Sequence, residues 1–464
     1  MKKIVSLLFI TIFCFSISFA QAPKKATSGE IYESIKKLNF LGSVLYLAAH
    51  PDDENTRLIS YFSNEVKART AYLSITRGDG GQNLIGPELR ELLGVIRTQE
   101  LLAARRIDGG EQFFTRANDF GYSKHPDETL EIWNKKEVLS DVVAVIRKFR
   151  PDVIINRFDY RTPGSTHGHH TSSAMLSIEA FDLAADASYK TNFEKDANWK
   201  PKRVFFNTSW WFYGSEEKFK NADKTNMLSI EVGSFYKNKG LSNGEISSLS
   251  RSQHQSQGFG STGSRGSETE YLEFLKGDFP KNKNVFDGID TTWNRVEGGK
   301  EIGIILKKVE NNYDYNNPSA SIEELIKAYK LIQNLKDDHW KKLKSEEIKH
   351  IIVDCAGLFL EAVANNSSTT QNAKNTIKIE AINRSDFEVT LKSVEINPLN
   401  AIRNKEVSLN YNQSYSTSLE IKIPSKIDVT APYWLTKSGN LGMYKVEDKA
   451  LIGLPETPHN ISAI

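Results

Sequence analysis

Between about residues 30 and 215, short β-rich apolar runs alternate with amphipathic helical stretches. No other feature of the 464-residue chain restricts its fold as much. Residues 44–49, 71–76, 112–115, 153–156 and 204–211 read as strands. The stretches 56–63, 88–107, 128–149 and 170–185 read as helices. Parallel neighbours need crossovers of a dozen or more residues, usually helical and right-handed, so the pattern predicts an α/β domain whose parallel sheet is covered on both faces. Ligands of such sheets bind beyond the carboxyl ends of the strands. Three of those ends are unusual: His50-Pro51-Asp52-Asp53-Glu54 after the first strand, Arg77-Gly78-Asp79-Gly80-Gly81 after the second, and Arg157-Phe158 leading through a Gly/Pro/Ser loop to His167-Gly168-His169-His170 after 153–156.

The rest of the chain changes style. Residues 234–266 are rich in Ser, Gln and Gly, a composition that predicts a mobile loop. Leu325, Leu331, Leu335, Leu343 and Ile351 recur with helical spacing, predicting a small helical module. After the polar 365–368 linker, alternation through Ile377, Ile379, Ala381, Val389, Leu391, Val394 and Ile396 predicts a β-sandwich. At the other end Lys2 and Lys3 precede the apolar run 4–19 and the small-residue pattern Ser18-Phe19-Ala20, as in an export signal cleaved after Ala20. The run is short for an uncleaved anchor. The expected organisation is signal peptide 1–20, α/β domain 21–275, linker and helical module 276–365, and sandwich 366–464, with the mature protein periplasmic or extracellular and not inserted in the membrane.

Composition excludes several classes. Sixty Lys+Arg against 58 Asp+Glu leave a formal charge of +2, too little general attraction for a nucleic-acid partner. Two cysteines, Cys14 and Cys355, rule out a disulfide scaffold or a cysteine-rich metal knuckle. Cys355 lies in an apolar helical run and is expected to be buried.

Only nine histidines occur, yet His50, His167, His169 and His170 all follow two strands of one sheet. Two imidazoles and a carboxylate with a position left for water make a catalytic zinc shell. His50 and Asp53 on one tight turn, with His170 from the neighbouring strand end, supply that set. A cation so held acidifies a water and polarises a carbonyl. Asp52, adjacent but projecting differently, is the candidate base, and His167, three residues before His170, would stabilise an oxyanion or protonate a leaving amine as an imidazolium. The competing reading is that Asp52, Asp53 and Glu54 cap the following helix. Isolated His339, His350 and His459 read as surface residues.

Ala48-Ala49-His50-Pro51-Asp52-Asp53-Glu54 resembles the signature of the PIG-L (LmbE-like) family of zinc-dependent N-deacetylases. Residues 76–81 with Arg97-x-x-Glu100, and the His167/His170 pair, match further segments over roughly 40–275. The resemblance implies a Rossmann-like three-layer fold and removal of acetyl groups from N-acetylglucosamine-type sugars or conjugates. By motif position it makes His50, Asp53 and His170 the ligands of Zn2+ (or Fe2+), Asp52 the general base and His167 the residue assisting the tetrahedral intermediate. Arg97 and Glu100 would lie beside substrate, or form a surface i,i+3 pair. Asp119 would meet a sugar hydroxyl or cap its loop. His254 and Gln257 would close over the pocket from a late loop, or sit in a surface Gln-rich segment. The block 210–213 would stack on a sugar or pack at the rim. One departure stands out: Gly168-His169 replaces the usual Pro-Asp between the histidines, removing an acid that would orient a neighbouring imidazole. The C-terminal β region resembles the accessory sandwich of exported relatives, with 432–435 reading as a second sandwich that stops early in a truncated form. The function so implied is metal-dependent N-deacetylation of a small-molecule or glycan substrate. The rivals are an amidase or esterase on another acyl conjugate, and a surface sugar-binding protein with a vestigial site.

Overall fold

The computed structural model describes residues 25–192 and 197–464; the expected signal segment 1–20 lies outside the described residues. Helix α1 (Ser28–Leu38), started by a Thr27/Glu30 capping box, leads into β1 (Ser43–Ala48). Then follow α2 (Thr56–Ser60), β2 (Arg69–Ser74), α3 (Glu91–Asp108), β3 (Glu111–Phe114), α4 (Lys135–Phe149), β4 (Val153–Asn156), α5 (Gly168–Ala185) and β5 (Arg203–Thr208). The domain closes with β6 (Met227–Glu231), α6 (Asn243–Arg251) and β7 (Thr269–Gly277). The strand order is β3-β2-β1-β4-β5-β7-β6.

The first five strands of that order are parallel, as expected. Beyond them the sheet is mixed: β7 runs antiparallel to β5, and β6 antiparallel to β7. An antiparallel neighbour does not need the helical crossover that gave the expectation of an all-parallel sheet. Alternate residues of β1 face opposite layers. Leu45 and Leu47 pack with Val142, Ile146 and Leu176 of α4 and α5, whereas Val44 and Tyr46 pack with Leu58 and Leu101 of α2 and α3. Three layers result, the Rossmann-like arrangement. The helix expected over 128–149 is two helices, Pro126–Ile132 and α4, parted at Asn134, whose φ of 53° lies in the left-handed region.

Residues 234–266 are not simply a loop. A Ser242/Glu245 capping box starts α6, which packs on α2 and α3. Its small side chains let the helices approach closely and bond across the contact. Thr56 and Ser247 share a hydroxyl bond of 2.8 Å, and Ser250 Oγ donates to Asp108 at 2.7 Å. Ser-rich composition here signals a close polar packing face.

Helices α7 (Lys300–Asn311), α8 (Ile322–Gln333) and α9 (Asp338–Cys355) form a separate apolar core that draws in α1: Ile35, Leu38, Leu306, Leu325, Ile332 and Ile348 belong to one cluster. Cys355 is buried there, and burial pushes its thiol up to about 12. His350 and His459 are exposed, but His339 is half-buried beside Trp340, and burial pushes it down to about 4. The sandwich comprises β8 (Phe359–Ala364), β9 (Lys374–Ile382), β10 (Val389–Asn397), β11 (Ala401–Leu409), β12 (Ser414–Lys422) and β13 (Ser462–Ala463). Its sheets are ordered β8-β9-β12 and β11-β10-β13, around Ile377, Ile379, Val394, Ile396, Ile421 and Ile423. Residues 432–456 do not begin a second sandwich: Tyr433, Trp434 and Tyr444 return to the α/β domain and cluster with Val95 of α3. Among the described residues, no helix is long and apolar enough to cross a membrane.

Candidate active site

After β1 the chain turns sharply through residues 50–54. Asp52 sits at φ 82°, a conformation that costs a non-glycine residue free energy and persists only when its surroundings hold it. The Asp52 N–H donates to Glu54 Oε2 at 2.9 Å, and Arg251 donates to the Asp52 carbonyl at 2.9 Å. From α3, Arg97 Nη2 donates to the Pro51 carbonyl at 2.5 Å and to Asp52 Oδ2 at 2.8 Å, while its Nη1 reaches the Gly78 carbonyl at 3.0 Å. Glu54 is buried; its other oxygen accepts from Arg105 at 3.1 Å and lies 2.9 Å from His254 Nε2. None of the three acids caps α2. Asn55 does, accepting from Arg57 N and Leu58 N, which frees the carboxylates for chemistry.

The strand-end segment after β4 supplies the other half. His167 is the N-cap of α5, its Nδ1 accepting from the His169 N–H at 3.0 Å. That bond leaves the Nε2 as the protonated nitrogen of a neutral ring. His170, on the first turn, stacks flat on Phe158 with centroids 3.8 Å apart and planes 4° from parallel, and its Nε2 lies 3.5 Å from Asp53 Oδ1. The other Asp53 oxygen lies 3.1 Å from His50 Nδ1 and accepts from the His50 N–H at 2.8 Å. His50, Asp53 and His170 each offer one donor atom, all within 4.8 Å of one another. Two imidazoles and a carboxylate at that spacing fit a divalent cation such as zinc.

His50, His167 and His169 form a second set within the same spacing, sharing His50. His169, however, is fully buried behind the site between Phe120 and Trp133, each 4.5 Å away. Its Nδ1 lies 2.9 Å from His50 Nε2 and 3.7 Å from Asp119 Oδ1; Asp119 Oδ2 is 3.9 Å from the same His50 nitrogen. His169 and Asp119 thus meet the Nε2 edge of His50, and Asp53 its Nδ1 edge. Burial, with His50 beside it, keeps His169 neutral. Burial alone would depress His50, but the Asp53 hydrogen bond and charge raise it above its ordinary value.

The charges are sorted across the site. Burial favours neutral Asp53, yet His170 and His50 outweigh it and hold the carboxyl far below the usual range. Burial lowers His170 to about 4, leaving it unprotonated at neutral pH. His167 is likewise lowered, first by burial and then by His50, so the expected imidazolium is a neutral imidazole with an Nε2–H to donate. Asp52, by contrast, is raised to about 6 by burial despite Arg97, with Asp53 adding to the effect. One turn therefore carries a fully ionised carboxylate and a more basic one, the division of labour expected of a ligand and a base.

These groups stand at the end of an open cleft of about 750 Å³, lined by Asp52, Asp53, His170, Phe158, Arg157 and the half-exposed indoles Trp210 and Trp211. Arg97 and His254, expected beside the substrate, are elsewhere: both are buried, Arg97 clamping the Asp52 turn and His254 against Glu54. Glu100 accepts from Ser256 N and Oγ at 2.6 Å, so it neither faces the cleft nor pairs with Arg97. Gln257 reaches the Gln82 carbonyl at 2.7 Å. Asp119 caps its own loop through Gly121 N at 3.0 Å. Residues not expected in the site do more: Glu54 and Arg251 hold the Asp52 backbone, and Arg157 borders the cleft directly after β4. Glu54 and Arg157 lie just after strand ends, which was the available signal, whereas Arg251 closes α6 and carried none.

Arg97→Met is expected to cost about 3 kcal/mol in urea unfolding, because it strands two carbonyls and a carboxylate that share one guanidinium. The partial access of Asp52 to water keeps the figure at the lower end of the usual range. Arg97→Lys should recover only part of it, lacking the fork. A loss under 1 kcal/mol for Arg97→Met would contradict this clamp.

Residues 45–181 match the profile of the PIG-L family, described as GlcNAc-PI de-N-acetylase. The chain carries a PIG-L domain. The 1D-myo-inositol 2-acetamido-2-deoxy-alpha-D-glucopyranoside deacetylase of Kineococcus radiotolerans is 28% identical over 178 residues, 33% of this chain and 48% of that protein. The mycothiol S-conjugate amidase of Streptomyces coelicolor is 26% identical over 172 residues, 34% of this chain and 58% of that protein. The chain spans about half the length of the curated relatives it matches. Among solved structures, the N,N'-diacetylchitobiose deacetylase of Pyrococcus horikoshii shares 20% identity, covering 38% of this chain and 67% of that one, with a TM-score of 0.27. The PIG-L match spans β1 to α5, the segment that carries both halves of the His/Asp cluster.

Proposed function

We propose that this protein is an exported, metal-dependent N-deacetylase of N-acetylglucosamine-type sugars or glycoconjugates, with Zn2+, or Fe2+ in its place, held by His50, Asp53 and His170. The observation that carries the reading is the convergence of those donors beside Asp52 on one held turn at the cleft. A cation there supplies a Lewis acid that polarises the acetamide carbonyl and acidifies water. Asp52 takes the proton of the attacking water, and the His167 Nε2–H stabilises the carbonyl oxygen as it becomes negative. Asp52, once protonated, can pass its proton to the leaving amine, so the products are free amine and acetate. Trp210 and Trp211 offer apolar faces for sugar rings. The named deacetylase and amidase relatives, which cleave amide bonds, are consistent with this chemistry.

The test uses the full chain stripped by a chelator and reloaded with Zn2+ or Fe2+, then offered N-acetylated glycans, acylated peptides and thiol conjugates. Acetate release is expected from the glycans, lost on stripping and restored by metal. Reloaded protein that releases no acid from any acylated substrate would overturn the hydrolase reading. Release from thiol conjugates alone would replace deacetylase by amidase.

A further inference from the structure

Residues 432–456 lie outside the PIG-L match yet touch the matched domain at two places that lead to the site. Residues 442–444 lie antiparallel against 116–118, the run that joins β3 to Asp119. Asn118 N donates to the Gly442 carbonyl at 2.9 Å and Tyr444 N to the Arg116 carbonyl at 2.8 Å, around an Ala117/Met443 bridge. Gly442 is required by that approach, since a Cβ there would lie 1.8 Å from the Ile132 carbonyl oxygen. Farther along, Phe114 N donates to the Gly453 carbonyl at 3.2 Å.

The same strap seizes the loop after β2. Arg77 is fully buried between the rings of Phe114 and Trp434, 4.2 and 3.4 Å away. It donates to the Pro455 carbonyl at 3.0 Å, the Leu454 carbonyl at 3.1 Å and Tyr433 Oη at 3.1 Å, all strap atoms. Two residues on, Asp79 accepts from the Tyr444 hydroxyl through Oδ1 and from the Asp119 N–H at 3.4 Å through Oδ2. There is no slack in this arrangement: a Cβ on Gly94 of α3 would lie 1.9 Å from Asp79 Oδ1, and one on Gly80 would lie 2.4 Å from Asp119 Oδ1. Asp119 in turn faces His50 and His169.

We propose that Tyr444 of this strap, acting through Asp79, sets Asp119 against His50 and His169 and so fixes the donor geometry at the metal centre. Tyr444 is a positioning residue; it touches neither substrate nor metal donors. The inference rests on the reading of His50, Asp53 and His170 as that centre. The competing role for the strap is a staple that joins the sandwich to the α/β domain without influence on the donors.

Co2+ added to the metal-free full chain separates the two without any substrate, since its visible absorption reports donor geometry and its competition with a chelator reports affinity. Tyr444→Phe removes one hydroxyl. It is expected to weaken Co2+ binding about three- to tenfold, less than loss of a direct outer partner, and to alter the visible band. Asp79→Asn, which disturbs the next step of the same relay, should act in the same direction. Glu456→Gln, changing only an exposed strap contact to Gln99, should leave both readouts at wild-type values. Wild-type affinity and spectrum in folded Tyr444→Phe and Asp79→Asn would overturn the proposal and leave a staple. An equal weakening in Glu456→Gln would also overturn it, since the effect would then be general to the strap's stability. Wild-type protein that takes up no Co2+ would instead overturn the metal-centre reading on which it rests.

Discussion

Asp52→Asn is expected to keep its metal and lose nearly all turnover. Asparagine retains the shape of the side chain and can still accept from Arg97, so the held turn and the His50, Asp53 and His170 donors should stay in place. What disappears is the one carboxyl on that turn whose environment makes it a proton acceptor near neutral pH: burial and Asp53 raise Asp52 to about 6, whereas Asp53 stays ionised between two imidazoles. Loss of a general base typically costs 10²- to 10⁴-fold, or about 3–5 kcal/mol in the barrier. Steady-state acetate release and bound metal measured on the same preparation check this. A variant with full metal and an undiminished rate would remove Asp52 from the chemistry and leave proton transfer to another group.

His170→Ala should fail differently, through the cation. It deletes one of three converging donors together with the ring stacked on Phe158. Metal affinity is expected to fall at least 100-fold, beyond the 10- to 100-fold typical of outer partners, because a ligand itself is lost. Acetate release should fall with metal content and recover only partly in excess Zn2+. Folding should suffer little, since His170 is partly exposed and unprotonated, with no buried charge left behind. Calorimetric titration of stripped protein measures the affinity directly. Unchanged affinity would show that the cation is held by another set, with His50, His167 and His169 the remaining cluster among the described residues. The two variants together separate a base from a ligand: one keeps metal without turnover, the other loses both in proportion.

Much of the fold was legible because its signals are local. Short continuous apolar runs and helices with period 3.6 identify β1 to β5 and their crossovers to within a few residues, and the isoleucines of the sandwich alternate as inward-facing residues must. The cluster of candidate donors was legible too, since His50 and Asp53 share one turn and His170 opens the helix after a neighbouring parallel strand. Where reading by composition went astray, the cause was packing. The Ser-rich run at 243–251 forms a helix because small hydroxylated side chains suit a close polar contact, and beyond it β7 joins the sheet antiparallel to β5 and β6.

The directions of Arg97 and His254 belong to another level. Each lies in a segment correctly associated with the site, yet both turn inward to hold Asp52 and Glu54, since a residue at φ 82° followed by a buried acid must be supported by donors from distant elements. The reach of the chain's end is the extreme case: Tyr444 meets Asp79 across 365 residues. Periodicity and strand-end motifs are carried by neighbours a few positions apart, so one sequence displays the sheet, the turn and the three candidate donors openly. Which loops lock together, which charges lose water and which hydroxyl meets which acid depend on contacts between segments whose separation leaves no local pattern, and only the packed chain settles them.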